Sequence, residues 1–173
     1  AGGPWPGPHA HLLMPENSVP VCSPTLLGQQ QTLSVTQIAA LPLLQQTTRP
    51  YAWRQWFNKQ GLSTTVDLNG PRYELFSMLA QAASHGMGVA LIPPFLIERE
   101  LADGRLCIAS QQAVPTDKGY YLIIPERTVE SAALRCFRDW LLLQAQSYQA
   151  SSLDIHGGQS LRELSTLRGV EDA

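Results

Sequence analysis

Basic residues are scarce in this sequence. Lysine and arginine together account for 12 of 173 residues, against 14 aspartates and glutamates, and the formal net charge is -2. The positive charges are also scattered along the chain, whereas binding to the phosphates of nucleic acid requires clusters of lysine and arginine. We therefore expect that this segment does not bind nucleic acid by itself.

Long apolar runs and abundant cysteine are missing as well. No uninterrupted apolar run approaches the about 20 residues that a membrane-spanning helix needs. The first eight residues are rich in glycine and proline and lack the basic start and apolar stretch of a secretory signal. The three cysteines, Cys22, Cys107 and Cys136, lie far apart in apolar surroundings, which favours buried reduced thiols over a disulfide. These absences predict a cytoplasmic protein that does not contact a membrane.

Signatures of catalysis and of cofactor binding are also absent. The sequence has no Gly-x-x-x-x-Gly-Lys-Ser/Thr phosphate-binding loop and no Gly-x-Ser-x-Gly nucleophile motif. Gly-Met-Gly-Val at residues 86–89 resembles part of a dinucleotide-binding pattern, but it follows a predicted helix instead of preceding one. No Cys, Asp or Glu completes a metal set with His9 and His11, which are better explained as surface histidines. We expect no metal, no cofactor and no enzymatic activity.

The sequence does contain an alternation of strand and helix patterns. Strands are predicted at residues 43–47, 64–68, 89–92, 105–109 and 120–124, with two further extended runs at 11–14 and 18–22. Helices are predicted at residues 34–40, 51–60, 73–85, 94–102 and 131–145. This alternation is typical of an α/β fold with a mainly parallel sheet covered by helices on both sides. Residues 147–173 lose periodicity, which predicts a flexible tail, with an isolated helix at 159–167 as an alternative.

Aromatic residues at helical spacing mark two of the predicted helices. Trp53, Trp56 and Phe57 lie at positions i, i+3 and i+4, and Trp140 lies on the apolar face of the last helix. A pair of tryptophans can stack against a ligand. The spacing favours packing in the core for all four side chains.

The most informative segment is residues 73–93. It combines a helix with a buried stripe, a glycine stop at Gly86, and Gly88 at a point where the following apolar strand must pass close to another segment. Its pattern is aromatic-acid, seven residues, Ala-Ala-x-x-Gly-x-Gly-Val-Ala-Leu-x-Pro. This pattern resembles the effector-binding domain of LysR-type transcriptional regulators.

Further segments resemble the same family in the same order. They are the loop at 3–7, the first crossover at 11–14 and 19–24, the strand and helix at 42–61, the second crossover at 119–126 and the closing helix at 137–141. The Trp-x-x-Trp unit and the Phe-Arg-Asp-Trp-Leu helix are similar to the glycine-cleavage-activator and β-lactamase-regulator branch. The resemblance covers roughly residues 3 to 145.

The resemblance implies the type 2 periplasmic-binding-protein-like fold, in which two crossover strands join two Rossmann-like subdomains and the effector lies in the cleft between them. It divides the chain into the end of subdomain I at 1–19, a complete subdomain II at 20–118, the return crossover and closing helix at 119–146, and the tail at 147–173. The family's helix-turn-helix, linker helix and first half of subdomain I have no counterpart here. We therefore expect an N-terminally truncated fragment of a bacterial regulator that binds DNA through the missing domain and is a homo-oligomer at full length.

The resemblance also implies a ligand site, because effector-contacting residues in this family come from the first turns of subdomain II helices and from the crossovers. Carried over to this sequence, these positions are Thr48, Arg49, Tyr73, Glu74, Phe76, Ser77 and Tyr120. A helix start attracts a carboxylate, with Arg49 as a bidentate clamp, whereas Glu74 suits an ammonium group, so an amino-acid-like or peptide-like effector is expected. Alternatively, Tyr73 and Phe76 only pack the helix start, and Glu74 and Ser77 only cap it.

Three functions follow from these observations. The first is a small-molecule-sensing domain of a LysR-type regulator. The second is a periplasmic solute-binding protein, which shares the fold but is disfavoured by the missing secretory signal and by the two family-specific tryptophan motifs. The third is an enzyme on the same fold, which is disfavoured because no nucleophile–base or metal constellation is present.

Overall fold

The computed structural model describes the backbone of residues 10–125 and 131–167 and, apart from residues 115, 117 and 151–167, their side chains. The chain divides into two compact units. One unit is Glu16–Thr116, whose bounds lie close to those of the segment predicted at 20–118. The other unit combines the segments before and after it. The assignment of these units to subdomains II and I stays a prediction. The predicted loop at 1–8 lies outside the described residues.

Six strands form one mixed sheet. They are β1 (Ala10–Cys22), β2 (Leu43–Gln46), β3 (Arg72–Tyr73), β4 (Val89–Ile92), β5 (Cys107–Ile108) and β6 (Val114–Ile123). The strand order is β3-β2-β4-β1-β5, and β6 also pairs with β1. Strand β2 runs parallel to β3 and β4, whereas β1 runs antiparallel to β4 and β5. The prediction of a mainly parallel sheet is therefore wrong for half of these pairings, because the long crossover strand β1 enters the sheet in the opposite direction.

Helices lie between most strands. They are α1 (Pro24–Leu27), α2 (Val35–Ala39), α3 (Ala52–Lys59), α4 (Phe76–Ser84), α5 (Glu98–Ala102) and α6 (Ala132–Leu167), with a 3-10 turn at Pro94–Leu96. Helix α2 begins with a capping box, in which the Ser34 side chain accepts from the Gln37 backbone N–H and the Gln37 side chain accepts from the Ser34 N–H. Helix α4 begins three residues later than predicted, because Tyr73 belongs to β3 and Leu75 has extended dihedrals.

The core of Glu16–Thr116 lies on both faces of the sheet, because alternate strand residues point to opposite sides. Leu44, Ala90 and Ile92 pack with the buried face of α4, including Leu79 and Ala83. The neighbouring strand residues, among them Leu43, Val89 and Leu91, pack with α3 on the other face. Helices therefore cover the sheet on both sides, as the alternation predicted.

The aromatic side chains of α3 are core residues, which confirms the sequence prediction. Trp53, Trp56 and Phe57 are each at most 1% exposed. Each indole N–H has a backbone partner: Trp53 Nε1 donates to the Leu44 carbonyl oxygen at 3.0 Å and Trp56 Nε1 to that of Gln112 at 2.7 Å. Their polar atoms are therefore used inside the fold and are not directed at a ligand.

The two glycines after α4 have the predicted roles. Gly86 follows the C-cap residue His85 with a φ of 75°, the left-handed conformation that commonly ends a helix. A Cβ at Gly88 would collide with the carbonyl oxygen of Pro42. Only glycine permits this close approach, which lets β4 lie against β2.

One predicted strand is absent. Residues 64–68, predicted as a strand from their β-branched alternation, form turns and irregular backbone instead. Asp67 is buried there and forms an ion pair with Arg54, with Nε and Oδ2 2.6 Å apart. The strand next to β2 is instead the two-residue β3.

The last helix differs from expectation in three ways. Phe137 and Trp140 are 50% and 55% exposed, so the prediction of core packing for Trp140 is wrong. Cys136, predicted to be buried, is exposed. Helix periodicity identifies an apolar face but not the surface that covers it. The helix also continues to Leu167, past the predicted end at 145, and includes the segment 159–167. The flexibility of the tail stays a prediction.

Candidate functional site

The carboxyl ends of two parallel strands meet at the predicted site. Strands β2 and β3 pair with Gln46 opposite Tyr73, so the segments after them begin side by side. The backbone N–H of Thr47 donates to the Tyr73 carbonyl oxygen at 2.8 Å and holds the two ends together. In open α/β sheets, ligands bind outside such carboxyl ends. Six of the seven predicted site residues lie in these two segments.

The start of α4 faces the same end of the sheet. Its N-cap residue, Leu75, supplies no side-chain cap, and the first turn contains no acidic residue. The first N–H groups of a helix lack partners within the helix and carry a partial positive charge, which suits an anion. Glu74 precedes the helix and is exposed, so it lies outside the first turn, in contrast to the predicted helix at 73–85. Ser77, also exposed, lies in that first turn.

Tyr73 and Phe76 combine packing with partial exposure. Both are partly buried and pack against the core cluster beneath α4. The Tyr73 hydroxyl lies 3.8 Å from the sulfur of Met87, which is a weak acceptor. The alternative that these residues pack the helix start is therefore seen in the structure, and each side chain also keeps a solvent-accessible part.

A chain of polar contacts supports this end of the sheet. Arg49 forms a bidentate ion pair with Glu16 on β1, with Nε–Oε1 and Nη2–Oε2 distances of 2.6 Å each. Arg49 Nη1 also donates to Thr48 Oγ1 at 2.8 Å, and that hydroxyl donates to Gln46 Oε1 at 2.7 Å. Gln46 Nε2 then donates to the Glu74 carbonyl oxygen at 2.9 Å. The Arg49 guanidinium group, predicted to clamp a ligand, binds the Glu16 carboxylate in this structure.

Sequence reasoning missed Glu16 and Gln46. Glu16 is 2% exposed, although carboxylates are rarely buried unless they are paired. Gln45 and Gln46 end a strand whose four residues are all buried, and Gln45 Nε2 donates to the carbonyl oxygens of Asp67 and Asn69 at 3.2 and 2.7 Å. Two adjacent glutamines at the end of an apolar strand indicate a buried hydrogen-bond network, because buried amides require partners.

The seventh predicted residue lies in the other unit. Tyr120 belongs to β6 and is partly buried. The structure therefore brings together Thr48, Arg49, Tyr73, Glu74, Phe76 and Ser77 within Glu16–Thr116, whereas Tyr120 is assigned by the family resemblance alone.

A depression lies elsewhere in Glu16–Thr116. Its volume is about 310 Å³, and its lining includes Arg54, Asn58, Thr64 and Asp67. The hydrogen bond from Arg54 to Asp67 raises the pKa of the Arg54 guanidinium, so this arginine stays charged and paired. The predicted residues do not line this depression, and we regard the strand ends as the better site because an uncapped helix start is present there.

The described ranges, 10–125 and 131–167, lack two structural features of other protein classes. No three His, Cys, Asp or Glu side chains there are grouped as metal ligands would be. Among the helices of those same ranges, none combines the length and apolar character that crossing a membrane requires.

Comparison with known families identifies the chain. Residues 2–146 match the model of the family described as the LysR substrate binding domain. The chain belongs to this family. It is 30% identical over 147 residues to the glycine cleavage system transcriptional activator of Escherichia coli, covering 85% of this chain and 48% of that protein. It is 37% identical over 142 residues to the transcriptional regulator TrpI of Pseudomonas aeruginosa, covering 80% and 47%.

Solved LysR effector domains share the fold. The effector domain of AmpR from Pseudomonas aeruginosa is 27% identical with a TM-score of 0.74, covering 88% of this chain and 72% of that one. The AmpR effector binding domain from Citrobacter freundii is 27% identical with a TM-score of 0.71, covering 85% and 72%. The fold is therefore the type 2 periplasmic-binding-protein-like fold of LysR effector domains, as the resemblance implied. The LysR chain described here spans about half the length of the two curated regulators.

Proposed function

We propose that this chain is the effector-sensing domain of a LysR-type regulator that contacts DNA through a segment outside it. The match over residues 2–146 carries the proposal, and the relatives named above are transcription regulators. A protein that acts on bacterial promoters works in the cytoplasm, so this localisation is part of the proposal. A periplasmic solute-binding protein and an enzyme on the same fold have less support, because these relatives are neither.

The proposed effector site lies at the carboxyl ends of β2 and β3. A carboxylate of the effector binds the N–H groups at the start of α4, and the Ser77 hydroxyl donates to it. Exposed Glu74, just before the helix, binds an ammonium group. Tyr73 and Phe76 flank the ligand in this proposal, and the family resemblance alone adds Tyr120 as a further ligand-binding residue.

Arg49 and Thr48 have a positioning role in this proposal. The ion pair of Arg49 with Glu16 and the hydrogen bonds through Thr48 and Gln46 fix the backbone of Glu74. The residues that contact the ligand are thereby held before it arrives, which lowers the cost of ordering them on binding.

An amino-acid-like or peptide-like effector fits these groups. Such a molecule carries a carboxylate for the helix start and an ammonium group for Glu74. One relative is named for the glycine cleavage system, and its name thus refers to an amino acid. The effector changes transcription by binding one of two states of the regulator more tightly and so shifting their populations in a homo-oligomer.

Replacement of Ser77 or Tyr120 by alanine is expected to blunt the response to effector. Loss of one hydrogen bond costs about 0.5–1.5 kcal/mol, so the half-maximal effector concentration should rise roughly 2- to 12-fold. The measurement is promoter activity against effector concentration with the complete regulator. Ser84→Ala, at the other end of α4, is the matched control and should respond like the wild type. Unchanged responses of both Ser77→Ala and Tyr120→Ala would place the site elsewhere.

The chain alone should not bind DNA with sequence specificity. Its net charge is -2 and its 12 basic residues are not clustered, so few phosphate contacts can form. A mobility-shift assay at physiological salt, with the regulator's own promoter and a scrambled duplex, should show no difference between them. Tight binding to the promoter duplex alone would contradict this prediction.

A further inference from the structure

Two cysteines that are far apart in the sequence face each other in the sheet. Cys22 ends β1 and lies directly opposite Cys107, the first residue of β5, in antiparallel register. Their sulfur atoms are 3.9 Å apart. Directly opposite residues of antiparallel strands have Cα atoms about 4.5–5.5 Å apart, which lies within the range of about 4.4–6.8 Å that disulfides span. The backbone therefore already permits a bond between them.

The two thiols differ in accessibility. Cys22 is fully buried among apolar side chains, whereas Cys107 is partly exposed on β5, the last strand in the sheet order. Both are free thiols in this structure. A reagent from solvent therefore reaches Cys107 first. Among the described residues, Cys22 is the only cysteine whose sulfur lies within hydrogen-bond distance of the Cys107 sulfur, at 3.9 Å.

The thiols also differ in acidity. The hydrogen bond from Cys22 lowers the pKa of Cys107, against the opposing effect of burial. The same contact, together with burial, raises the pKa of Cys22. In the neutral pair, the Cys107 S–H also donates to the Cys22 carbonyl oxygen at 3.3 Å. The more accessible thiol is thus the one that forms a thiolate more readily, and the thiolate is the reactive form.

We propose that Cys22 and Cys107 form an oxidation site at which a hydroperoxide creates a disulfide between β1 and β5. The Cys107 thiolate attacks the terminal oxygen of the hydroperoxide, the O–O bond breaks, and an alcohol leaves with one proton. Cys107 is then a sulfenic acid. The Cys22 sulfur attacks the Cys107 sulfur, the S–O bond breaks, and the hydroxyl leaves as water with the Cys22 proton. Two thiols lose two electrons, and the hydroperoxide is reduced to alcohol and water.

The bond requires a limited movement. The sulfur atoms must approach from 3.9 Å to the about 2.05 Å of a disulfide. Strand β5 has only two residues, so little pairing resists its adjustment. Glutathione and thioredoxin keep thiols reduced in the cytoplasm, so we expect the disulfide to be reversed there.

Thiol mapping of the reduced protein tests the proposal. The chain is treated with hydrogen peroxide, quenched in denaturant with an alkylating agent, digested and analysed by mass spectrometry. Cys22 and Cys107 should both escape alkylation and should appear in one cross-linked peptide pair. Treatment with dithiothreitol before alkylation should restore both thiols. The exposed Cys136 serves as an internal reference for direct oxidation.

Two variants separate this site from other thiol chemistry. Cys136→Ser should still form the Cys22–Cys107 cross-link, whereas Cys107→Ser should leave Cys22 as a free thiol. The proposal is overturned if Cys136 oxidises in the wild type while Cys22 and Cys107 both remain free thiols that the alkylating agent modifies. It is equally overturned if the cross-links that form all contain Cys136. The wild-type mapping decides the question even if a variant fails to fold.

Discussion

Trp56→Ala will lower the free energy of unfolding by about 3–5 kcal/mol. The side chain of Trp56 is fully buried and contacts Trp53 and Phe57, with ring centroids 5.8 and 5.1 Å apart. Truncation removes this apolar surface and leaves a cavity that close-packed neighbours fill only in part. It also removes the indole N–H donor to the Gln112 carbonyl oxygen. Denaturant unfolding monitored by circular dichroism measures the change.

Trp140→Ala is the matched control for this substitution. Trp140 is 55% exposed, so its truncation removes the same chemical group without creating an enclosed cavity. Its effect should be at most about 1 kcal/mol. Equal destabilisation by the two substitutions would show that the core assignment of α3 is mistaken.

Arg49→Met will destabilise the protein by about 3–5 kcal/mol. The variant keeps most of the apolar stem of Arg49 but leaves the Glu16 carboxylate, only 3% exposed at its side chain, without its charged partner. A buried charge without compensation is costly, whereas removal of both charges is often nearly neutral. We therefore expect that the double variant Arg49→Met with Glu16→Leu recovers much of the lost stability.

An exposed ion pair supplies the control. Arg99 pairs with Asp103 at 3.7 Å, but the Arg99 side chain is 87% exposed, so Arg99→Met should change stability by less than about 0.5 kcal/mol. If the double variant is as unstable as Arg49→Met, the loss does not come from the unpaired Glu16 carboxylate. In that case the hydrogen bonds that lead from Arg49 to the Glu74 backbone do not depend on the ion pair between Arg49 and Glu16.

Local sequence patterns predicted the parts of the fold that local physics determines. Apolar spacing located α3 and its buried tryptophans, and Gly86 located the end of α4. The failures occurred where distant contacts decide. The segment around Asp67 is irregular, and its carboxylate pairs with Arg54, 13 positions away. Trp140 is exposed, and periodicity alone does not reveal what covers a helix face.

The candidate site shows the same limit. The family pattern placed Tyr73, Phe76 and Ser77 at a helix start. The structure puts Tyr73 at the end of β3 instead and brings this end beside the segment of Thr48. The ion pair between Glu16 and Arg49 joins residues 33 positions apart. Nothing local in the sequence links them, because each charge alone is typical of a solvated surface.

We propose that an effector with both a carboxylate and an ammonium group binds at the ends of β2 and β3. The most direct test is a titration of the isotope-labelled protein with the standard L-amino acids and short peptides, followed by backbone amide NMR shifts. We expect that at least one compound shifts the amide resonances of Thr48, Phe76 and Ser77, whereas those of Arg54 and Asp67 stay unchanged. Shifts confined to the depression around Arg54 and Asp67, or no shift with any compound, would contradict it.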